Sequence, residues 1–115
     1  MEDTGVKKLS LSDDRFEENA SGTLRKLWGD KDFTDVTLAT QDGETRDAHK
    51  VILSSCSKFF ANILMKTHHI NPFIYLRGVN MKELNLLLQF IYLGQCEVEK
   101  DDLEMVLSVG KEFSK

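Results

Sequence analysis

The sequence predicts an α+β domain in which a small sheet lies under a cluster of helices. Three observations lead there. Asp35–Thr40 alternates with period two, an Asp42-Gly43 turn signal follows it, and Thr45–Ala48 can return as the partner strand. Apolar residues recur at helical spacing on either side of them. One segment, Met81–Leu93, is apolar nearly all the way round, as a helix buried on several sides should be. Mixed elements of this kind pack as helices gathered on a sheet.

In chain order, residues 1–8 are expected to be loose and the domain to run from Leu9 to Lys115. Leu9-Ser10-Leu11-Ser12 alternates apolar and polar, the mark of a short half-exposed strand. It is too short to stand alone and needs a neighbouring sheet edge. Phe16, Ala20, Leu24 and Leu27 then fall on one helical stripe. Asp13 or Asp14 is placed to cap that helix, with Glu17 for the reciprocal bond, and Gly29 to stop it. Gly22 weakens the middle by about 1 kcal/mol against alanine, so packing must hold the helix.

The hairpin follows, and after it His49–Lys66, which carries helical spacings such as Val51 with Ser55 and Phe59 with Ile63. One long helix fits. The run Ser54-Ser55-Cys56-Ser57 favours two short helices instead, with Ser57 capping the second. Pro72 closes this region, and Phe73–Leu76 reads as a short, fully apolar strand of the buried kind. Gly94 terminates the Met81–Leu93 helix, and Val98 marks a minimal strand. Asp101 and Glu104 begin a last helix with Leu103, Val106 and Leu107 as its stripe.

Bulk properties narrow the function. With 115 residues, 41% hydrophobic and 30% charged, the chain suffices for one domain with a real core. The net charge of −4, with basic residues scattered among acids, argues against nucleic acid as a direct ligand. No apolar run approaches the about 18 residues of a membrane span, and the polar start MEDTGVKK is not a secretory signal. Cys56 and Cys96 lack metal-site spacing and read as reduced, packed thiols. The neighbouring His68 and His69 lack the i, i+4 spacing that metal ligation uses, and read as surface residues.

No catalytic pattern stands out: there is no phosphate loop, nucleophile elbow or HExxH helix. Cys56 with His49 as its base is the least implausible enzymatic pairing, and nothing argues for a lowered thiol pKa. Neither a cofactor nor a metal is expected. The unusual feature is apolar surface at the front: Leu9, Leu11, Phe16, Leu24, Leu27 and Trp28 precede the globular core. The stripe either folds back on its own core or packs against a second subunit, and the residues alone leave both open.

The stretch Asp32–Leu64 (DFTDVTLATQDGETRDAHKVILSSCSKFFANIL) holds an Asp-apolar-Thr-Leu strand, a hairpin, an Ala-His-Lys segment leading to Leu-Ser-Ser, and paired aromatics. It resembles the BTB/POZ family. The likeness continues through Pro72–Leu76, Leu87–Gly94 (LLQFIYLG) and the helix after Asp101. The N-terminal part is similar to the tramtrack-like group of regulators at Leu9, Leu11, Phe16, Glu17 and Asn19, with Asp13 where that group has tryptophan.

The resemblance implies a helical cluster capped by a short sheet, with an N-terminal strand and helix for dimerisation. It assigns Leu9, Leu11, Phe16, Ala20, Leu24, Leu27, Trp28 and Val51 to a dimer interface. Asp35 and Lys50 match a charged pair near the seam, whereas the residues themselves also allow a strand-start cap and a surface lysine. Arg46 stands where the family places a bulky apolar residue. Either its stem covers apolar surface while its head reaches water, or the hairpin is looser there. The implied function is homodimerisation, extending to higher multimers, of a nuclear transcription or chromatin regulator. Its partners would be itself, other BTB proteins and co-regulators, with no membrane and no nucleic acid bound by this segment. DNA-binding parts would lie beyond Lys115, the chain being the front of a longer protein. The alternative is a cytoplasmic substrate adaptor for a cullin-type ubiquitin ligase. Such adaptors carry an apolar-x-Glu motif after the paired aromatics, where Ile63–His68 has no glutamate.

Overall fold

The computed structural model describes residues 7–114. Its elements are α1 (Phe16–Gly29), β1 (Val36–Thr40), β2 (Thr45–Ala48), α2 (Lys50–Cys56), α3 (Lys58–Lys66), β3 (Phe73–Leu76), α4 (Met81–Leu93) and α5 (Leu103–Ser114), the last entered through a 3-10 turn, Lys100–Asp102. The sheet order is β2-β1-β3. β1 and β2 form the expected hairpin, with Val36 opposite Ala48 and Leu38 opposite Arg46. β3 runs parallel to β1, with Leu38 beside Ile74. A parallel return needs a long crossover, which α2 and α3 supply.

The turn between β1 and β2 is made by Gly43 at φ 79°, a conformation glycine adopts without steric cost. Beside it the Asp42 carboxylate accepts from the Thr40 hydroxyl and, at 3.2 Å, from the Met81 N–H that opens α4. These two bonds, Thr40 first, hold the carboxyl below its ordinary range.

The His49–Lys66 region is two helices, as the serine run suggested. Ser57 adopts an extended conformation between them, and its hydroxyl accepts from the Phe60 N–H at 3.2 Å. The same hydroxyl donates to the Phe113 carbonyl at 2.6 Å. Phe60 stacks on Phe113 with centroids 5.2 Å apart, and Phe59 meets Phe113 edge-on at 4.8 Å. The end of the chain is thereby fastened to its middle.

α4 is the axis of the core. Asn80 and Glu83 form a complete capping box with bonds of 2.8 and 2.9 Å, and Gly94 ends the helix in the left-handed region at φ 76°. Leu84 and Leu88 are wholly buried, together with Leu38, Leu53 and Phe60 from the surrounding elements. α1, α2 and α5 all pack on α4.

Several expectations are corrected. Leu9–Ser12 is not a strand: residues 7–13 have no regular structure and pair with neither edge of the sheet. Val98 likewise forms no strand. β3 is not fully buried, since alternate side chains Phe73 and Tyr75 face out. α1 starts without a side-chain cap from Asp14 or Glu17; Asp13 instead accepts from the Arg15 N–H at 3.0 Å. On α5, Leu103 and Leu107 stay exposed while Phe113 is buried. Of the segment expected to be loose, residues 1–6 lie outside the described residues, and Lys7 and Lys8 are exposed.

Candidate interaction surface

α1 has two unlike ends. Its C-terminal half supplies Leu24, Leu27 and Trp28, which pack against the core of their own subunit. The Trp28 ring lies 5.6 Å from that of Tyr92 on α4. Over its other side sits the Arg46 guanidinium, 3.9 Å from the ring centroid, while Nη1 of Arg46 donates to Asn85 Oδ1 at 2.7 Å. The head of Arg46 therefore does not reach freely into water, as the sequence suggested, but is stacked and half-buried. Burial lowers its pKa, against a smaller opposing influence of Tyr92. The hairpin register explains this: Arg46 lies opposite the buried Leu38.

Tyr92 ties three segments together. Its hydroxyl accepts from the His49 N–H at 3.0 Å and pairs with His49 Nδ1 at 2.7 Å. His49 Nε2 donates to the Asp32 carbonyl at 2.8 Å, because a carbonyl can only accept. Burial pushes the phenol above its ordinary range, and the bond from His49 and the charge of Arg46 pull the other way. Both ring nitrogens of His49 are thus engaged. It precedes α2 whereas Cys56 ends it, about 10 Å apart at 1.5 Å per residue, so the two do not form a nucleophile–base pair. Cys56 is exposed rather than packed, and Cys96 is half-buried.

Asp35 Oδ1 accepts from the Lys50 backbone N–H at 2.8 Å, and the Lys50 ammonium turns to the His69 carbonyl at 3.4 Å. The two residues meet, but through the main chain, so Asp35 satisfies one orphan donor at the start of α2.

The remaining residues assigned to an interface are open. Leu9 and Leu11 are 88% and 94% exposed, Phe16 66% and Val51 75%; Ala20 is half-buried. No residue of α1 is buried. The molecule measures 68 × 36 × 27 Å with a radius of gyration of 18.7 Å, against about 13 Å for a compact chain of this length. Residues 7–19, at the front, are exposed without exception.

Two further apolar surfaces escaped the reading of the sequence. Leu86, Leu87 and Phe90 of α4 face Leu103, Val106 and Leu107 of α5 across a groove of about 910 Å³. Beside β3, Ile63, Phe73, Ile74 and Tyr75 line a trough of about 620 Å³. Periodicity did pick out these side chains, but as core. Among the described residues no three His, Cys, Asp or Glu converge as metal ligands, and no helix is long and apolar enough to cross a membrane.

Contiguous exposed apolar faces on a small α+β domain are a mark of interaction modules. The family follows from comparison: a model of the BTB/POZ domain matches residues 24–115, and the chain belongs to that family. Among its relatives in Drosophila melanogaster, the sex determination protein fruitless is 40% identical over 93 residues, covering 81% of this chain and 10% of fruitless. The alpha isoform of tramtrack is 30% identical over 104 residues, 90% of this chain and 13% of tramtrack. The chain thus spans about a tenth of these relatives, and its likeness to the tramtrack-like group holds. The BTB domain of zebrafish PATZ1 shares the fold, with a TM-score of 0.77 at 19% identity over 92% of this chain and 86% of that one.

Proposed function

We propose that this domain pairs with a second copy of itself through its front, and that it serves a nuclear transcription or chromatin regulator by joining two copies. The observation that carries the reading is the set of uncovered apolar side chains at the front: Leu9 and Leu11 ahead of α1, Phe16 on α1, which buries no residue of its own, and Val51 on α2. A helix of 14 residues is marginal in water without tertiary packing. Each such side chain gains about 2 kcal/mol when covered, and in a twofold interface every contact occurs twice. That gross gain is of the size needed to offset the cost of association, about 4–15 kcal/mol. Pairing would raise the effective concentration of whatever each copy carries, adding avidity without any new contact to a target. Larger assemblies, mixed pairs with other BTB proteins, and co-regulators are partners in the same reading; catalysis, cofactors and direct nucleic-acid binding have no place in it.

Sedimentation of the purified chain tests the proposal. The expected result is a dimer or larger species at micromolar concentration, reduced to a folded monomer by Leu11→Asp with Phe16→Asp. These positions are chosen because they make no core contact, unlike Leu24 and Leu27, whose replacement would damage the subunit itself. A well-folded wild-type monomer at that concentration overturns the proposal.

A further inference from the structure

The charge of this chain is unevenly distributed. From Ala48 to Lys82 there is no Asp or Glu, while Lys50, Lys58, Lys66, Arg77, Lys82 and all three histidines fall in that stretch. The other ten basic residues share the rest of the chain with all 19 acids. The acid-free stretch builds α2, α3 and β3 and ends at the start of α4, where Lys82 is paired with Asp102 at 2.6 Å.

On that side β3 is an edge strand. Thr37 N–H donates to the Pro72 carbonyl at 3.0 Å, and in this parallel register Thr37 lies beside Phe73 and Ala39 beside Tyr75. The ladder therefore uses the alternate residues of the third strand. Phe73 and Tyr75 point their own N–H and C=O groups the other way, where no strand pairs with them among the described residues. Their side chains are 66% and 58% exposed. The trough along this edge is walled by Ile63 and Thr67 from the end of α3. Three cations belong to the elements that form it: the Lys50 ammonium bonds the carbonyl of His69, one of the lining residues, Lys66 ends α3 just before Thr67, and Arg77 directly follows β3. Tyr75 and Arg77 also line a second cleft toward α5, together with Glu112 and Glu83, whose carboxylate accepts from the Asn80 N–H.

We infer that the free edge of β3 is a docking site for an extended acidic segment of another protein, which adds as a fourth strand. Alternate apolar side chains of that segment would lie on Phe73, Tyr75 and Ile63, and its carboxylates beside Lys50, Lys66 and Arg77. Main-chain bonds supply affinity in strand addition and the flanking pockets supply selectivity. Charge selects the occupant. Two copies meeting through this edge would bring like charges together, as edge strands guarded against self-pairing do, whereas an acidic strand is attracted. Nucleic acid would satisfy the cations but not the aliphatic wall or the edge donors.

Fluorescence anisotropy with the intact chain provides the test. The probes are a fluorescein-labelled decapeptide alternating glutamate and valine, the lysine–valine counterpart, a glutamate–valine peptide N-methylated at alternate residues, and a single-stranded DNA 12-mer. The first should bind at least tenfold more tightly than each of the others. Tyr75→Glu and Arg77→Glu, both at exposed positions, should each weaken it about tenfold with an unchanged circular dichroism spectrum and sedimentation. Hydrogen exchange at Phe73 and Tyr75 should slow when the peptide is added. The inference is overturned if no peptide binds, if the methylated or basic peptide binds equally, if DNA binds more tightly, or if Tyr75→Glu alters self-association, which would assign the edge to a second copy.

Discussion

α1 and α4 are nearly the same length, 14 and 13 residues, and they pack on each other, yet they are held in opposite ways. α4 has a reciprocal cap at one end, a left-handed glycine at the other and four buried residues between them. α1 has no side-chain cap and buries no residue. α4 would keep its place in any environment that preserves the core; α1 is fixed at its C-terminal half and open along the rest. Within one small domain, the centre is specified by its own chain, whereas the front is left uncovered by it. That is how an interaction module keeps a stable scaffold and a surface that still has something to gain.

The largest effect should come from the centre. Leu88→Ala removes a fully buried side chain from α4 and should cost about 2–5 kcal/mol in chemical denaturation, whatever the protein concentration. A loss below about 1 kcal/mol would mean that α4 is less central than its burial implies.

The joint between the two helices should give an intermediate effect. Tyr92→Phe leaves the His49 N–H and Nδ1 without their partner, at a cost of about 1–3 kcal/mol. Its signature is in the pH profile. Because the phenol is raised in the folded state, the folded chain holds its proton more tightly than the unfolded one. That contribution to stability is complete below the ordinary tyrosine pKa of about 10 and is lost as pH rises toward the folded value. Thermal melts from pH 8 to 11 should show this alkaline loss in the wild type and less of it in the variant.

The smallest effect on the subunit should come from the front. Phe16→Ala alters an exposed position, so at concentrations where the chain is monomeric its folding stability should change by no more than about 0.5 kcal/mol. A larger change in the monomer would show that α1 leans on its own subunit more than its exposure indicates, and would erase the contrast with α4.

Legibility in the sequence followed the same division. α4, its terminating Gly94, the hairpin turn and the Ser57 cap were readable because each is decided by residues a few positions apart. What failed was decided at long range. Leu9–Ser12 has the alternation of a strand, but alternation does not provide a neighbouring edge. For the stripe of α1 the residues alone leave open a fold-back on the core or a second subunit; in the structure Leu24, Leu27 and Trp28 lie partly buried against the core and Phe16 is in the open. For Arg46 the sequence allows a surface head on an apolar stem or a looser hairpin, because nothing local reveals an indole and Asn85 waiting 18 and 39 residues away. Apolar spacing tells which side chains share a face; it does not tell what covers that face.

The fastening of Phe113 to Phe60 and Ser57 also sets a timetable. A ribosome delivers the N-terminus first, at about 5–20 residues per second. The greasy front and the helical pair emerge well before the aromatic ring that completes the stack. Until that ring clears the exit tunnel, Phe60 has no lid and the Ser57 hydroxyl has no acceptor. The nascent interior can shut only when translation of this stretch is all but finished.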